Sequence, residues 1–459
     1  MNACKTILLI FSFLLATTWL TPGSVRAQAS IEGSISGYRN KNLRLLLIRG
    51  DKKILVDSTK TDAGGYFMLL PLTAWPAGMY MLQTEDGNSI RLLVNGTEKI
   101  QFVSDGQQSD HIVDFTLSEE NRNWYAYSLL KSETLYKLDL LKPILREFPQ
   151  NDTFYIQTRE AFDRLQHLPY QKGEALIAEK PGSLAARFIE ADLPPLIDLS
   201  LDFEEQRQQL KAHFFDRIDF TDTDLIHSDI LTTKMIDFLA LYQRPNMSIE
   251  EVQLEFIKAL NLIFQQAAVS NEVYVFALEY FIEGFYRMGL TAVSDFLSSL
   301  PHLNPDCMEP DMVQEIERIA GPYRKIADGV KAPDILTTDI QGNPFDLSMV
   351  SKPLTILVFW SVTCPYCLEL IPELYSYSKK HPDIEVVSVL ISPDSPELRE
   401  LVAKEAPDWI HLIDQHTGST PISDEYMIYA TPSLFLLDAH KHVIAKPFGI
   451  ADLEAYDLP

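Results

Sequence analysis

The sequence predicts a multidomain chain: an N-terminal β-sandwich, an α-helical middle region and a C-terminal α/β unit. Three features predict it. Short apolar runs broken by turn residues fill the first part. Apolar residues at three- and four-residue steps fill the second. Continuous apolar strands alternate with helical segments in the third. At 459 residues the chain is too long for one ordinary core. The divisions are read as a leader over 1–27, the β-domain over 28–115, the helical domain over 116–328 and the α/β domain over 329–459.

The leader is read from its charge and polarity. Lys5 precedes a mostly apolar run from Thr6 to Leu20, Pro22 and Gly23 break any helix, and Val25-Arg26-Ala27 resembles a small-x-small cleavage site. The run is short for a membrane span, and no later stretch is long and apolar enough for one. The expectation is export and release near Ala27 into a periplasmic space; an uncleaved leader acting as an anchor is the alternative. Cys4 leaves with the leader. Formal net charge is −25, and the leader holds Lys5 and Arg26 but no acid, so the remainder is more acidic still. Such a surface repels phosphate backbones, which excludes nucleic acid as a partner.

In the β-region, Leu43 to Ile48, Ile54 to Val56, Met79 to Leu82 and Ile90 to Val94 are the strand candidates. Arg49-Gly50-Asp51, Ala63-Gly64-Gly65, Pro76-Ala77-Gly78 and Asp86-Gly87-Asn88 are the turns. Many short strands at this spacing suggest two packed sheets. In the helical region, Leu130, Tyr136, Leu138, Leu141 and Leu145 form a stripe expected to be core. Ser248 and Glu251 fit a capping box ahead of Val252, Phe256, Leu260 and Phe264. Val273 to Phe285 reads as a buried helix. The acidic stretch Phe215 to Asp224 lacks the glycine and distal glutamate of a calcium loop, so capping and solvated turns are the better account.

Gly321-Pro322 and Asp328 to Pro333 read as the boundary of the last region. Leu354 to Trp360 is a continuous apolar run, as a strand buried on both faces should be. A helix follows over Tyr366 to Lys380, then a strand over Ile384 to Ile391 and a helix over Ser395 to Ala406. Further strands are expected over Trp409 to Ile413, Leu434 to Asp438 and Val443 to Pro447. With the chain ending at Pro459, a closing helix must be short or absent.

The chemistry concentrates at Cys364-Pro365-Tyr366-Cys367. Cys364 follows a buried strand and opens a helix. Free amide hydrogens and the positive end of the helix dipole stabilise a thiolate there. Pro365 suits the first turn because its missing N–H has no partner to lose. Cys367 is one turn on, within bonding range. Cys364 is therefore the expected attacking sulfur, and Cys367 the more buried, resolving one. A zinc site would need two more ligands at a second close spacing. Cys307, His411 and His416 would supply them only through an unusual arrangement, so no metal and no cofactor is expected. Cys307, in a Pro-rich loop, reads as a lone thiol.

The segment Phe359-Trp360-Ser361-Val362-Thr363-Cys364-Pro365-Tyr366-Cys367, with Pro372 five residues on, resembles the active-site segment of thioredoxin-fold proteins. Ala332-Pro333-Asp334-Ile335 and Gly342 to Leu347 are similar to the exported TlpA and ResA branch. The resemblance spans about residues 329 to 450. A leader, a β-domain and a helical middle ahead of it also resemble chains common in Bacteroidota. The resemblance implies a redox disulfide between Cys364 and Cys367. It also implies a cis peptide before Pro432, and a role for Thr431 in pairing with substrate backbone. Trp360, Pro365, Tyr366 and Glu369 are its accessory candidates. Val358 stands where many thioredoxins carry a buried aspartate, and Thr363 replaces the usual tryptophan. Glu369 lies one residue short of the glutamate of the related reductases, and a solvated helix face is the better account of it.

The function so implied is thiol–disulfide exchange on exported proteins, with reduction as the favoured direction and an unidentified upstream thiol as donor. A thiol peroxidase is a competing reading. Ser361 stands three before Cys364, but Leu357 occupies the place of the peroxidase proline. In a third reading, residues 28–328 bind clients, oligomerise or assemble with a partner, and the redox domain is accessory.

Overall fold

The computed structural model describes residues 29–105, 113–303, 310–414 and 420–456. The leader, Cys4, Cys307 and His416 lie outside the described residues. The strands of the first region are β1 Ser30–Ile35, β2 Asn42–Arg49, β3 Lys52–Lys60, β4 Tyr66–Leu69, β5 Gly78–Thr84, β6 Ser89–Val94, β7 Lys99–Ser104 and β8 Val113–Leu117. They form two four-stranded sheets, ordered β4-β1-β7-β8 and β3-β2-β5-β6. The β1–β7 pair is parallel. The sheets share one core, in which Leu43, Leu45, Leu47, Tyr80 and Leu82 meet Ile31, Phe67 and Phe102. Gly33 makes room for this: a Cβ there would lie 2.7 Å from the Phe67 ring.

The unbroken apolar run in β2 has a physical cause. Alternate side chains of a strand point to opposite faces. Leu46, Ile48, Met79, Met81 and Leu93 face away from the shared core and enter the helical core instead. Strands β2 and β5 are thus buried on both sides, whereas the edge strand β3 has no buried residue.

The helices are α1 Glu119–Glu147, α2 Thr153–Glu179, α3 Leu184–Asp192, α4 Phe203–His213, α5 Ile230–Ala240, α6 Ile249–Ala267, α7 Asn271–Arg287, α8 Thr291–Leu303 and α9 Pro310–Arg324. The Ser248–Glu251 capping box opens α6, and α7 buries Val273, Phe276, Phe281 and Phe285. In the acidic stretch, Asp222 caps a 3₁₀ turn over Thr223–His227, and Arg187 pairs with both Asp222 and Asp224.

Two expectations need correction. Of the stripe on α1, only Leu138 is buried; Tyr136 is 67% exposed. Helices α1 and α2 form a hairpin, and only its near end reaches the central core, through Trp124 and Tyr127. Gly321-Pro322 does not end a helix, since α9 runs through it to Arg324. Ile319, Ala320 and Tyr323 are buried on its inner face, and that packing outweighs the backbone preference of the pair.

Asn121 ties the first two regions together. It is fully buried at the start of α1. Its Oδ1 accepts from the Leu93 amide, and its Nδ2 donates to the Leu93 carbonyl, both at 2.8 Å. Asn121→Ala would leave both backbone groups buried without these partners. A stability loss of about 2 kcal/mol or more is expected, read as a lower urea midpoint.

The last region contains β9 Leu336–Thr338, β10 Pro344–Asp346, β11 Leu354–Trp360, α10 Pro365–Lys380, β12 Ile384–Leu390, α11 Pro396–Glu405, β13 Ile410–Ile413, α12 Ile422–Glu425, β14 Ser433–Leu437, β15 Val443–Ala445 and the short α13 Ile450–Ala455. The main sheet is ordered β13-β12-β11-β14-β15. Strands β11, β12 and β13 pair parallel, whereas β14 runs antiparallel between β11 and β15. Every residue of β11 is buried. Ile356, Val358 and Trp360 meet α10 on one face, while Leu357 and Phe359 meet Tyr426 and Phe435 on the other. Contacts join this region to the helices: Lys446 reaches Asp295 of α8 at 3.7 Å, and the Phe448 ring lies against Gly289 just past α7. Among the described residues no helix is long and apolar enough to cross a membrane.

Candidate active site

Strand β11 delivers the chain to the head of α10. Trp360, its last residue, is buried and donates its indole N–H to Ser388 Oγ of β12 at 2.7 Å. The short turn that follows is held by hydroxyls: Ser361 Oγ lies 3.0 Å from both Thr363 Oγ1 and Ser392 Oγ. Cys364 then sits at the N-cap of α10 with extended backbone angles, and its sulfur accepts from the Cys367 amide at 3.4 Å. A side chain in that position faces the unpaired amides of the first turn. Pro365 occupies the first helical turn.

The two sulfurs differ in environment. Cys364 is half-buried and Cys367 is fully buried. Burial works against ionisation of Cys364, but hydrogen bonds from the Cys367 side chain and backbone, the Thr431 side chain and the Tyr366 backbone outweigh it. They hold the Cys364 thiol below the ordinary range. Burial, with Cys364 beside it, pushes Cys367 up to about 11. At neutral pH the outer sulfur is the one closer to ionising.

The Thr431–Pro432 peptide is cis. The Thr431 carbonyl accepts from the Cys364 thiol at 3.2 Å, across 67 residues of sequence. The remaining candidates lie as follows. Tyr366 is 75% exposed beside Cys364, and Glu369 is exposed on α10. Val358 is buried in the cluster that also contains Cys367. His411 is buried on β13 and its Nε2 meets the Ala406 carbonyl at 2.9 Å. Sequence reasoning missed Ser388 on β12, which accepts from Trp360, and Ser392 just past that strand, which meets Ser361 in the turn. It also missed Tyr426 to Tyr429, which leads into Thr431. Hydroxyl residues at strand ends are too common to single out, and the aromatic run carries no motif.

A five-stranded sheet with a dithiol at the head of its central helix defines the class of the C-terminal domain: a thioredoxin-like oxidoreductase. Residues 329–446 match the AhpC/TSA family. The match covers less than half of the chain. Solved structures with similar folds include a domain of a possible thiol-disulfide isomerase from Cytophaga hutchinsonii. It is 32% identical over 28% of this chain and 88% of that one, with a TM-score of 0.26. A thioredoxin-like protein from Bacteroides caccae is 19% identical over 57% of this chain and 96% of that one, at a TM-score of 0.39. A thiol:disulfide interchange protein from a Bacteroides species is 21% identical over 28% and 88%, at 0.27. No curated protein matches the chain.

Proposed function

We propose that the chain is an exported thiol–disulfide oxidoreductase that reduces disulfides of other exported proteins through Cys364 and Cys367. The observation that carries this reading is the asymmetry of the pair: a half-exposed sulfur held below the ordinary thiol range, backed by a buried one raised to about 11. Export rests on the leader read from Lys5 to Ala27. We read three domains, over 28–115, 116–328 and 329–459, the first a sandwich of its two facing sheets.

The reaction runs in two exchanges. The Cys364 thiolate attacks one sulfur of a client disulfide, forming a mixed disulfide and displacing the other client sulfur as a thiolate, which takes up a proton. Cys367 then loses its proton and attacks Cys364 Sγ. The second client thiol leaves, and an intramolecular Cys364–Cys367 disulfide remains. The client has gained two electrons and two protons, and an upstream dithiol must return the pair to the reduced state. Val358 offers no group to take the proton of Cys367, so it passes to water or to the departing client thiolate.

Alkylation by iodoacetamide tests the asymmetry. Only the thiolate reacts, so the rate at Cys364 should rise with pH and reach half its plateau below the ordinary thiol pKa of about 8.5. Below that midpoint it should fall about tenfold per pH unit. Cys367 should stay unmodified in the folded protein at neutral pH. A midpoint at or above the ordinary thiol value would sink the reading. Direction is tested by the reduction potential against glutathione: a value near that of the strong periplasmic oxidants would make the chain an oxidant instead. Rapid consumption of hydrogen peroxide would favour the peroxidase reading, which the AhpC/TSA match keeps in view.

A further inference from the structure

The segment ahead of Thr431 is gripped from two sides. Tyr426 belongs to the C-terminal core: its ring packs on Phe359 and Phe435, with centroids 5.3 Å from each, and its hydroxyl donates to the Pro333 carbonyl at 2.6 Å. Its own carbonyl, however, accepts from the Tyr286 hydroxyl at the end of α7, at 3.2 Å. The next residue, Met427, has a positive φ of 53° and packs against the helical core as well as its own. Tyr429, 44% exposed, then lies against three side chains of the helical region. The Tyr286 ring meets it edge-on at 6.1 Å, the Arg287 guanidinium lies 4.9 Å from its centroid, and its hydroxyl is 2.9 Å from that of Tyr323 on α9.

Two residues beyond Tyr429 is Thr431, whose carbonyl touches Cys364 Sγ. The intervening chain spans at most about 7 Å, so the place of Tyr429 limits where Thr431 can lie. Nothing in the chemistry of the cysteine pair requires a helical region. Even so, α7 and α9 supply the groups that hold Tyr429, and through it the loop facing the reactive sulfur.

We propose that Tyr429, held by Tyr286, Arg287 and Tyr323, is a positioning residue through which the helical region sets the Thr431 backbone for polypeptide clients. This rests on the thiol-exchange reading above and extends it: the helical region becomes part of the client-recognition apparatus. A polypeptide lying along residues 430–431 needs that backbone in a set place. A small aromatic disulfide needs only the Cys364 sulfur. The clamp therefore acts on one substrate class and spares the other, because misplaced contacts remote from the reacting atoms cost rate only where the substrate uses them.

The experiment compares insulin with 5,5′-dithiobis(2-nitrobenzoate) as disulfide substrates of the full-length protein, reduced beforehand with dithiothreitol and freed of it, so that the single-turnover second-order rate constant stands for kcat/KM. Tyr429→Ala should lower kcat/KM for insulin about tenfold and leave the rate with the small disulfide within about twofold. Tyr429→Phe keeps the ring contacts and should stay within about twofold on both. Arg287→Ala combined with Tyr323→Phe leaves Tyr429 in place and removes two of its partners. This variant should lower insulin turnover selectively by about fivefold, and it serves if Tyr429→Ala does not fold. Unchanged insulin turnover in Tyr429→Ala and in the double variant, or equal losses on both substrates in either, overturns the proposal. A wild-type protein that reduces neither substrate overturns the functional reading itself, a result distinct from failure of the clamp alone.

Discussion

Replacing Cys364 by serine should abolish disulfide turnover, while replacing Cys367 by serine should preserve the first exchange and stop the second. The two outcomes differ because the sulfurs have different work. Cys364 is the accessible one, accepts from the Cys367 amide, and is held below the ordinary thiol range. A serine hydroxyl there does not ionise near neutral pH and cannot displace a thiolate. Cys367 is buried and raised to about 11, so it attacks only a sulfur already joined to Cys364. Without it the mixed disulfide persists, and covalent client adducts should accumulate on non-reducing gels and disappear with dithiothreitol. The same adducts identify the clients. Equal adduct yields from both single variants would contradict the division of labour. If the isolated front region bound clients and Cys367→Ser trapped none, the chain would instead be a binding protein with an accessory redox domain.

The second large effect is on stability. Trp360 is 1% exposed at the end of β11, packed in the cluster that includes Val358 and Cys367. Trp360→Ala removes a large buried ring, which costs about 3–5 kcal/mol in well-packed cores. It also takes a donor from Ser388 Oγ, which adjoins β11 inside the sheet. Against a typical total of about 5–15 kcal/mol, that is a large share of a domain's stability. Urea unfolding followed by far-UV circular dichroism should show the loss. Trp360→Phe, which keeps most of the ring volume, should cost about 1–2 kcal/mol. A loss under about 1 kcal/mol for the alanine variant would mean that the ring is not structural and is free to serve the substrate.

Legibility along the sequence followed the range of the interactions. The Ser248–Glu251 box joins groups three residues apart, and the structure contains it. Leu354 to Trp360 reads as a central strand because both faces demand apolar side chains, and all seven are buried. Local patterns failed where distant packing took over. The polar sequence of β1, Ser30–Ile35, hides a strand that pairs parallel with β7, a partner far along the chain. The stripe containing Tyr136 has helical spacing, but α2 covers it only in part and buries Leu138 alone, so periodicity overstated its core. Gly321-Pro322 reads as part of a region boundary, but buried residues of α9 around it carry the helix through.

By itself the sequence determined that two cysteines stand one helical turn apart, the first a short turn after a buried strand. Those are matters of spacing and pattern, which neighbouring residues encode. The sequence also led to the expectation that Cys367 is the more buried sulfur; only the tertiary structure decided how completely it is sealed, that the Thr431 carbonyl accepts from Cys364 across 67 residues, and that Tyr323 meets Tyr429 across 106. Burial and long-range contact depend on how separately formed elements pack, and no local stretch of side chains records which distant surface will cover it.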